Sequence, residues 1–320
     1  MKKPIPVSPA LTTWFYEDQI DTWPMLDANT EILDEALQNE KEIYFGDCFW
    51  IAEKYLLQYR KGSLTADVDK ALSGERPCFL CPPARPAEQK TLGWEGYDIL
   101  VNPYPVAFPH FTIVDRTHSP QLIKGRIKDM ARMTRLFEEC CVIYNGPRCG
   151  ASAPDHMHFQ ALDFNLMRNI FIALENDLTD EIGRLGKSRV FIPRTNAMAA
   201  PYIGLDIAAD KDLEQLFSII YGLLPAGDPE PMMNIAAVKK NSRTILAIFP
   251  RRRHRPANYG DGAGQILISP ATLEMLGTFP VSRDKELRYL GEKRIMKIYD
   301  EVCISADDLV QIATQIKDAL

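Results

Sequence analysis

Residues 156–161 read His-Met-His-Phe-Gln-Ala, a strict alternation of polar and apolar side chains that fits one local geometry. On an extended strand successive side chains point to opposite faces. His156, His158 and Gln160 therefore share one face, and Met157, Phe159 and Ala161 the other. The segment is expected as a strand whose apolar face closes a core. Only five histidines occur in the chain, at 110, 118, 156, 158 and 254, and two of them fall in this row. A half-buried strand with a solvated face gives the same pattern, so the surrounding segments have to separate structure from chemistry.

Around this strand the chain reads as an α+β protein. Tyr97–Val101 and Phe111–Val114 are short β-branched and aromatic runs parted by Asn102-Pro103-Tyr104-Pro105, and they predict two strands. Met130, Met133, Phe137, Cys140 and Tyr144 recur at steps of three and four, which predicts one helix ended by Asn145-Gly146-Pro147. Met233–Val238 and Thr244–Phe249, joined by a polar turn, predict a hairpin. Ser305 and Asp308 stand in capping-box spacing ahead of a helical face formed by Leu309, Ile312, Ile316 and Leu320. Residues 1–40, with Pro4, Pro6, Pro9 and Pro24, read as an irregular arm holding one short helix.

Composition excludes several classes. Hydrophobic residues make up 46% and charged residues 25% of the chain, which is far from a disordered composition. No segment approaches the ~18 consecutive apolar residues of a membrane span, and the amino terminus lacks a signal-like apolar stretch, so no membrane association and a cytoplasmic location are expected. Of seven cysteines, an odd number in a long chain, most are expected to be reduced. A net charge of −6 argues against a nucleic-acid polymer as partner. A local basic cluster can still hold a small anion.

Three further motifs are candidates for chemistry. The loop Asn145-Gly146-Pro147-Arg148-Cys149-Gly150-Ala151-Ser152 offers glycines that let backbone N–H groups approach an anion, together with Arg148 and a hydroxyl; its alternative is an ordinary connection. Cys78-Phe79-Leu80-Cys81 has the spacing of a zinc half-site or of a redox pair. With no second such pair in the chain, histidines would complete a zinc site, and Cys78, Cys81, His118 and His156 make up that set, leaving His158 free. The run Arg251-Arg252-Arg253-His254-Arg255 is the densest positive cluster. Arg251 and Arg253 are candidates for the phosphate of a second substrate, against a solvated surface run. The glycine-rich stretch 260–264 reads as a loop, and His110 as a local structural residue.

Taken together, His156-x-His158-x-Gln160, the Asn145-Gly146 and Gly150-x-Ser152 loop before it, Cys78-x-x-Cys81 and the histidine of Asp115-Arg116-Thr117-His118 resemble the galactose-1-phosphate uridylyltransferase branch of the histidine-triad superfamily. That branch also holds the diadenosine tetraphosphate and GDP-hexose phosphorylases. The resemblance is specific over about residues 75–165 and looser near the 234–255 hairpin. It departs at Asp155, which lengthens the loop by one residue, and at Met157, which replaces the proline of the uridylyltransferases. The resemblance implies a histidine-triad-like antiparallel sheet with flanking helices in two related halves: a catalytic half over 41–175, and a second half over 176–320 without a catalytic histidine. It further implies that His158 takes up a nucleotidyl group with Gln160 as hydrogen-bond donor. Asn145, Arg148, Gly150 and Ser152 would bind phosphate, and a structural zinc would sit on the four Cys and His residues. The implied substrates are a nucleotide sugar or dinucleoside polyphosphate, with phosphate or a sugar phosphate as acceptor, in a protein that can form a homodimer. A histidine-triad hydrolase and a zinc-stabilised binding protein are the alternatives.

Overall fold

The computed structural model describes residues 7–45, 48–54, 68–72, 76–194 and 200–320. In chain order its strands are β1 (Lys41–Phe45), β2 (Cys48–Lys54), β3 (Leu92–Trp94), β4 (Tyr97–Val101), β5 (His110–Asp115), β6 (Cys140–Asn145), β7 (His158–Asp163), β8 (Thr179–Leu185), β9 (Ser188–Pro193), β10 (Ile203–Ile207), β11 (Met233–Lys240), β12 (Arg243–Pro250) and β13 (Thr278–Val281). Ten of them form one sheet in the order β3-β4-β5-β7-β6-β11-β12-β10-β9-β8, antiparallel at every junction. The order is the same on each side of the β6·β11 seam. Counted from the outer edge, each set of five runs first, second, third, fifth, fourth. In each set a helix, Ile127–Leu136 or Asp210–Leu223, connects the third strand to the fourth. A smaller sheet, β1-β2-β13, pairs residues 48–54 in parallel with Thr278–Val281.

Both faces of the large sheet are covered. Met157, Phe159 and Ala161 pack into one core with the helix Ile127–Leu136 and the C-terminal helix Ala306–Ala319. Leu162 joins the opposite core with Tyr299 and Phe279. The alternation expected of 156–161 thus places its apolar row inward. Strand β7 itself begins at His158, and His156 lies just ahead of it.

Several local expectations are met and two are corrected. The hairpin closes on the two residues Asn241 and Ser242, with Asn241 at φ 58° in the left-handed region that asparagine tolerates. The C-terminal helix carries its capping box, with Asp308 N–H donating to Ser305 Oγ at 3.1 Å and Ser305 N–H to Asp308 Oδ2 at 3.1 Å. The helix expected to run through Tyr144 stops at Leu136, and Cys140–Asn145 is the central strand β6. Every residue of β6 is buried, so its apolar positions continued the helical spacing by coincidence of composition. The arm expected to be irregular holds two 14-residue helices, Pro9–Thr22 and Pro24–Leu37. Pro9 and Pro24 start these helices instead of breaking them, because the first helical position needs no N–H donor. Leu26 and Leu33 anchor the second one at zero exposure.

Candidate functional site

Strand β7 presents His158 and Gln160 to a cavity of about 950 Å³ whose wall combines strands β4–β7 with residues between 254 and 274 that follow β12. His158 is 2% exposed. Its Nδ1 lies 2.8 Å from the backbone carbonyl of His156, which can only accept, so Nδ1 carries the proton. Nε2 is then the lone-pair nitrogen, and it is buried without a hydrogen-bond partner among the described residues. Burial pulls the pKa of the ring down to about 4, against smaller upward pulls from the His156 carbonyl and Asp155, so the imidazole is neutral at pH 7. The backbone on either side of the ring is held by Gln121, a fully buried side chain that sequence reasoning missed. Its Oε1 accepts from His158 N–H at 2.8 Å, and its Nε2 donates to the carbonyls of His158 at 3.0 Å and Asn145 at 2.9 Å.

Gln160 is oriented from the next strand. The Val106 N–H reaches Nδ1 of His110 at 3.3 Å, which makes Nε2 of that ring the donor, and Nε2 lies 2.8 Å from Gln160 Oε1. The amide nitrogen of Gln160 is therefore the end left for the cavity. His110, expected to have a local structural role, also lines the cavity. It heads strand β5, which pairs with β7, a relation that its place just before the run Phe111–Val114 did not reveal.

The loop before β7 divides the expected phosphate ligands. Asn145, Gly150 and Ser152 line the cavity. Gly150 sits at φ +91°, and a Cβ there would lie 2.5 Å from Cβ of Ala271, so only glycine allows the loop to meet the second half. The Ser152 carbonyl accepts from Arg76, which also pairs with Asp155 at 3.2 Å and lies 5.3 Å from the ring centre of Phe79. Arg148 turns away: it donates to the Asp228 carbonyl at 3.1 Å, pairs with Asp69 at 2.9 Å, and is not part of the cavity wall.

The basic run behaves differently from its sequence reading. Arg251 is 2% exposed and off the cavity wall, and all five of its N–H donors are in use, on the carbonyls of Val302, Pro270, Arg253 and His254 and on Asn234 Oδ1. None is left for a phosphate. Arg253 is exposed and also absent from the wall. The cavity instead receives His254 and Arg255 from the same run, with Ser269 beside them. Arg255 Nε donates to Ser269 Oγ at 3.0 Å, and that oxygen lies 3.4 Å from His254 Nε2. Burial, then Arg255, Arg251 and Arg148, pull His254 down to about 3, so it too is neutral.

The fourth constellation lies just upstream of His158. Cys78, Cys81, His118 and His156 bring their ligand atoms within 4.8 Å of one another. His156 Nδ1 is 3.2 Å from Cys78 Sγ and 3.6 Å from Cys81 Sγ, and His118 Nδ1 is 3.3 Å from Cys81 Sγ. A tetrahedron built with metal–sulfur bonds of about 2.3 Å and metal–nitrogen bonds of about 2.0 Å has sulfur–nitrogen edges of roughly 3.5 Å, so the set fits a metal of that size. His156 Nε2 lies 2.8 Å from the Asp115 carbonyl, which assigns the proton to Nε2 and the lone pair to Nδ1, as a metal ligand requires.

Residues 15–163 match the family described as Domain of unknown function (DUF4922). None of the curated proteins matches the sequence. Among solved structures, yeast Ap4A phosphorylase Apa2 in complex with AMP superposes with a TM-score of 0.55 at 14% identity, over 87% of this chain and 96% of that one. The same enzyme in complex with Ap4A superposes at 0.51 and 12% identity, over 90% and 97%. A uridylyltransferase mutant reaches a TM-score of only 0.39 at 12% identity, over 76% and 95%. With its ten-stranded sheet and flanking helices, the chain has the histidine-triad-like fold of these Ap4A phosphorylase structures.

Proposed function

We propose that the protein transfers nucleotidyl groups through a covalent intermediate on His158, taking a dinucleoside polyphosphate or nucleotide sugar as donor and phosphate or a sugar phosphate as acceptor. One observation carries this reading: a neutral imidazole nitrogen, buried and without a partner among the described residues, on the wall of a cavity large enough for a nucleotide. A buried polar atom left unpaired is costly, and such atoms concentrate at functional sites. The shared fold with an Ap4A phosphorylase solved with AMP and with Ap4A supports the substrate class.

In the first step His158 Nε2 attacks the α-phosphorus, an N–P bond forms, and the bond to the bridging oxygen breaks, so the remainder leaves as a phosphate-bearing anion. The ring becomes cationic, and the Nδ1–H to the His156 carbonyl strengthens as it does. The amide N–H groups of Gln160 and Asn145 donate to the phosphoryl oxygens as charge builds on them. In the second step an acceptor oxyanion attacks the same phosphorus, the N–P bond breaks, and the neutral ring returns. His254 and Arg255 give the acceptor a polar, basic wall supplied by residues 176–320, while the nucleophile comes from 41–175. Zinc bound by Cys78, Cys81, His118 and His156 would be structural, since four protein ligands leave no open position for a reactant.

Mass spectrometry after incubation with Ap4A and a panel of nucleotide sugars tests the proposal. The expected result is a nucleotidyl adduct on a peptide containing His158, absent in His158→Ala, and a nucleoside diphosphate released only when phosphate is present. Release of nucleoside monophosphate without phosphate would make the protein a hydrolase. No adduct and no turnover across the panel would overturn the reading.

A further inference from the structure

We infer that Arg251 and Asn234 are positioning residues that hold the amide of Asn145 with its N–H₂ end toward the cavity, an inference that rests on the proposed transfer at His158. Arginine can only donate. Its Nη1 lies 2.6 Å from one end of the Asn234 amide, which identifies that end as the oxygen. The other end, Nδ2, spends both its N–H groups, at 2.8 Å on Asn145 Oδ1 and at 2.8 Å on the Cys149 carbonyl. Asn145 Oδ1 receives a second obligate donor, the Thr272 N–H, at 2.9 Å. The oxygen of Asn145 is thereby pinned away from the cavity that the residue lines with His158 and Gln160, and its nitrogen is the end presented there.

The relay crosses the seam of the sheet. Asn234 on β11 stands opposite Asn145 on β6, and the three side chains are between 0% and 5% exposed. Among the described residues Arg251 makes no ion pair with a carboxylate, although a buried guanidinium without one is costly. A requirement for a donor that cannot reverse its direction accounts for a charge in that place. The second half then contributes to the chemistry of the first by deciding which end of one amide faces the phosphorus. A reversed amide would set a carbonyl oxygen against the phosphoryl oxygens.

A double-mutant cycle tests the relay. Asn234→Asp keeps a partner for Arg251 and so preserves the fold, but it has no N–H for Asn145. Adduct formation on His158 is expected to slow by about tenfold or more, with KM changed by less than about threefold, as for loss of a transition-state donor. Asn145→Ala slows it by roughly a hundredfold, and the combined variant should be no slower than Asn145→Ala alone. Multiplying effects would overturn the inference. Proton exchange at the Asn234 side-chain amide scores the relay without turnover: it should be slow in the wild type and fast in Arg251→Lys. Fast exchange in the folded wild type sinks the relay even if His158 carries an adduct. Slow exchange with no adduct sinks the proposed function and leaves the relay standing.

Discussion

His156 and His158, two residues apart, hold opposite tautomers. His156 keeps its proton on Nε2, donated to the Asp115 carbonyl at 2.8 Å, and His158 keeps its proton on Nδ1, donated to the carbonyl of His156 itself at 2.8 Å. The first ring thereby offers Nδ1 to the cysteines and the second offers Nε2 to the cavity. One backbone carbonyl links the two sites.

Loss of the zinc proposed for Cys78, Cys81, His118 and His156 should therefore reach the nucleophile. Cys78→Ser, or exhaustive chelation, is expected to lower bound zinc from about one equivalent per chain and to lower the thermal midpoint by several degrees. Adduct formation at His158 should slow by ~10-fold or more, a typical cost of disturbing the surroundings of a metal site. Metal analysis with calorimetry and adduct kinetics reads all three. Full activity in a metal-free, folded protein would separate the two sites.

His110→Phe removes the donor that orients Gln160 while keeping a buried ring. The expected loss is about ten- to a hundredfold in kcat with little change in KM, and it should not add to the loss in Gln160→Ala. Steady-state kinetics on the three variants decide it; additive losses would give His110 a role apart from Gln160.

The chemistry-bearing residues closest to β7 were legible because strand parity and ligand spacing are local properties. His156, His158 and Gln160 could be assigned to a face, and Cys78-x-x-Cys81 to a cluster with two histidines that could hold a metal, from a few neighbours. Long-range geometry was not legible. The run 251–255 could be recognised as basic, but whether Arg251 or Arg255 meets the cavity depends on how the chain leaves β12 at Pro250, and on Asn234 and Pro270 being there to absorb one guanidinium. Gln121 gave no signal at all, since its function is to bridge the backbones of β6 and β7 near Asn145 and His158. In the fold, β6 misled for a related reason: a strand buried on both faces has no period of two to reveal it.

Gly150→Ala should destabilise through two separable effects. A positive φ costs an alanine on the order of 1 kcal/mol, and the new Cβ meets Ala271 at 2.5 Å. Overpacking of this kind adds roughly 1–3 kcal/mol. Gly150→Ala combined with Ala271→Gly should recover the packing part and leave the backbone part. Urea denaturation of the two variants measures the split, and no recovery in the pair would place the whole cost in the backbone.

Stability should also depend on pH through Glu230, a side chain 3% exposed. Its carboxylate accepts from Ile123 N–H at 3.1 Å and from Tyr144, yet burial outweighs these contacts and raises its pKa from 4.5 to about 7. The folded state thus binds the proton more tightly than the unfolded chain. The resulting stabilisation is complete below the unfolded value and is lost as pH rises from there through about 7, and the raised pKa corresponds to roughly 3 kcal/mol at most. A glutamine at this position stays neutral, can accept from Ile123 N–H, and can donate to the Tyr144 oxygen. The urea midpoint of the wild type should therefore fall between about pH 5 and about pH 8, and Glu230→Gln should flatten that fall. Parallel slopes for the two proteins would mean that Glu230 is ionised in the folded state throughout this range, and that another group sets the pH dependence.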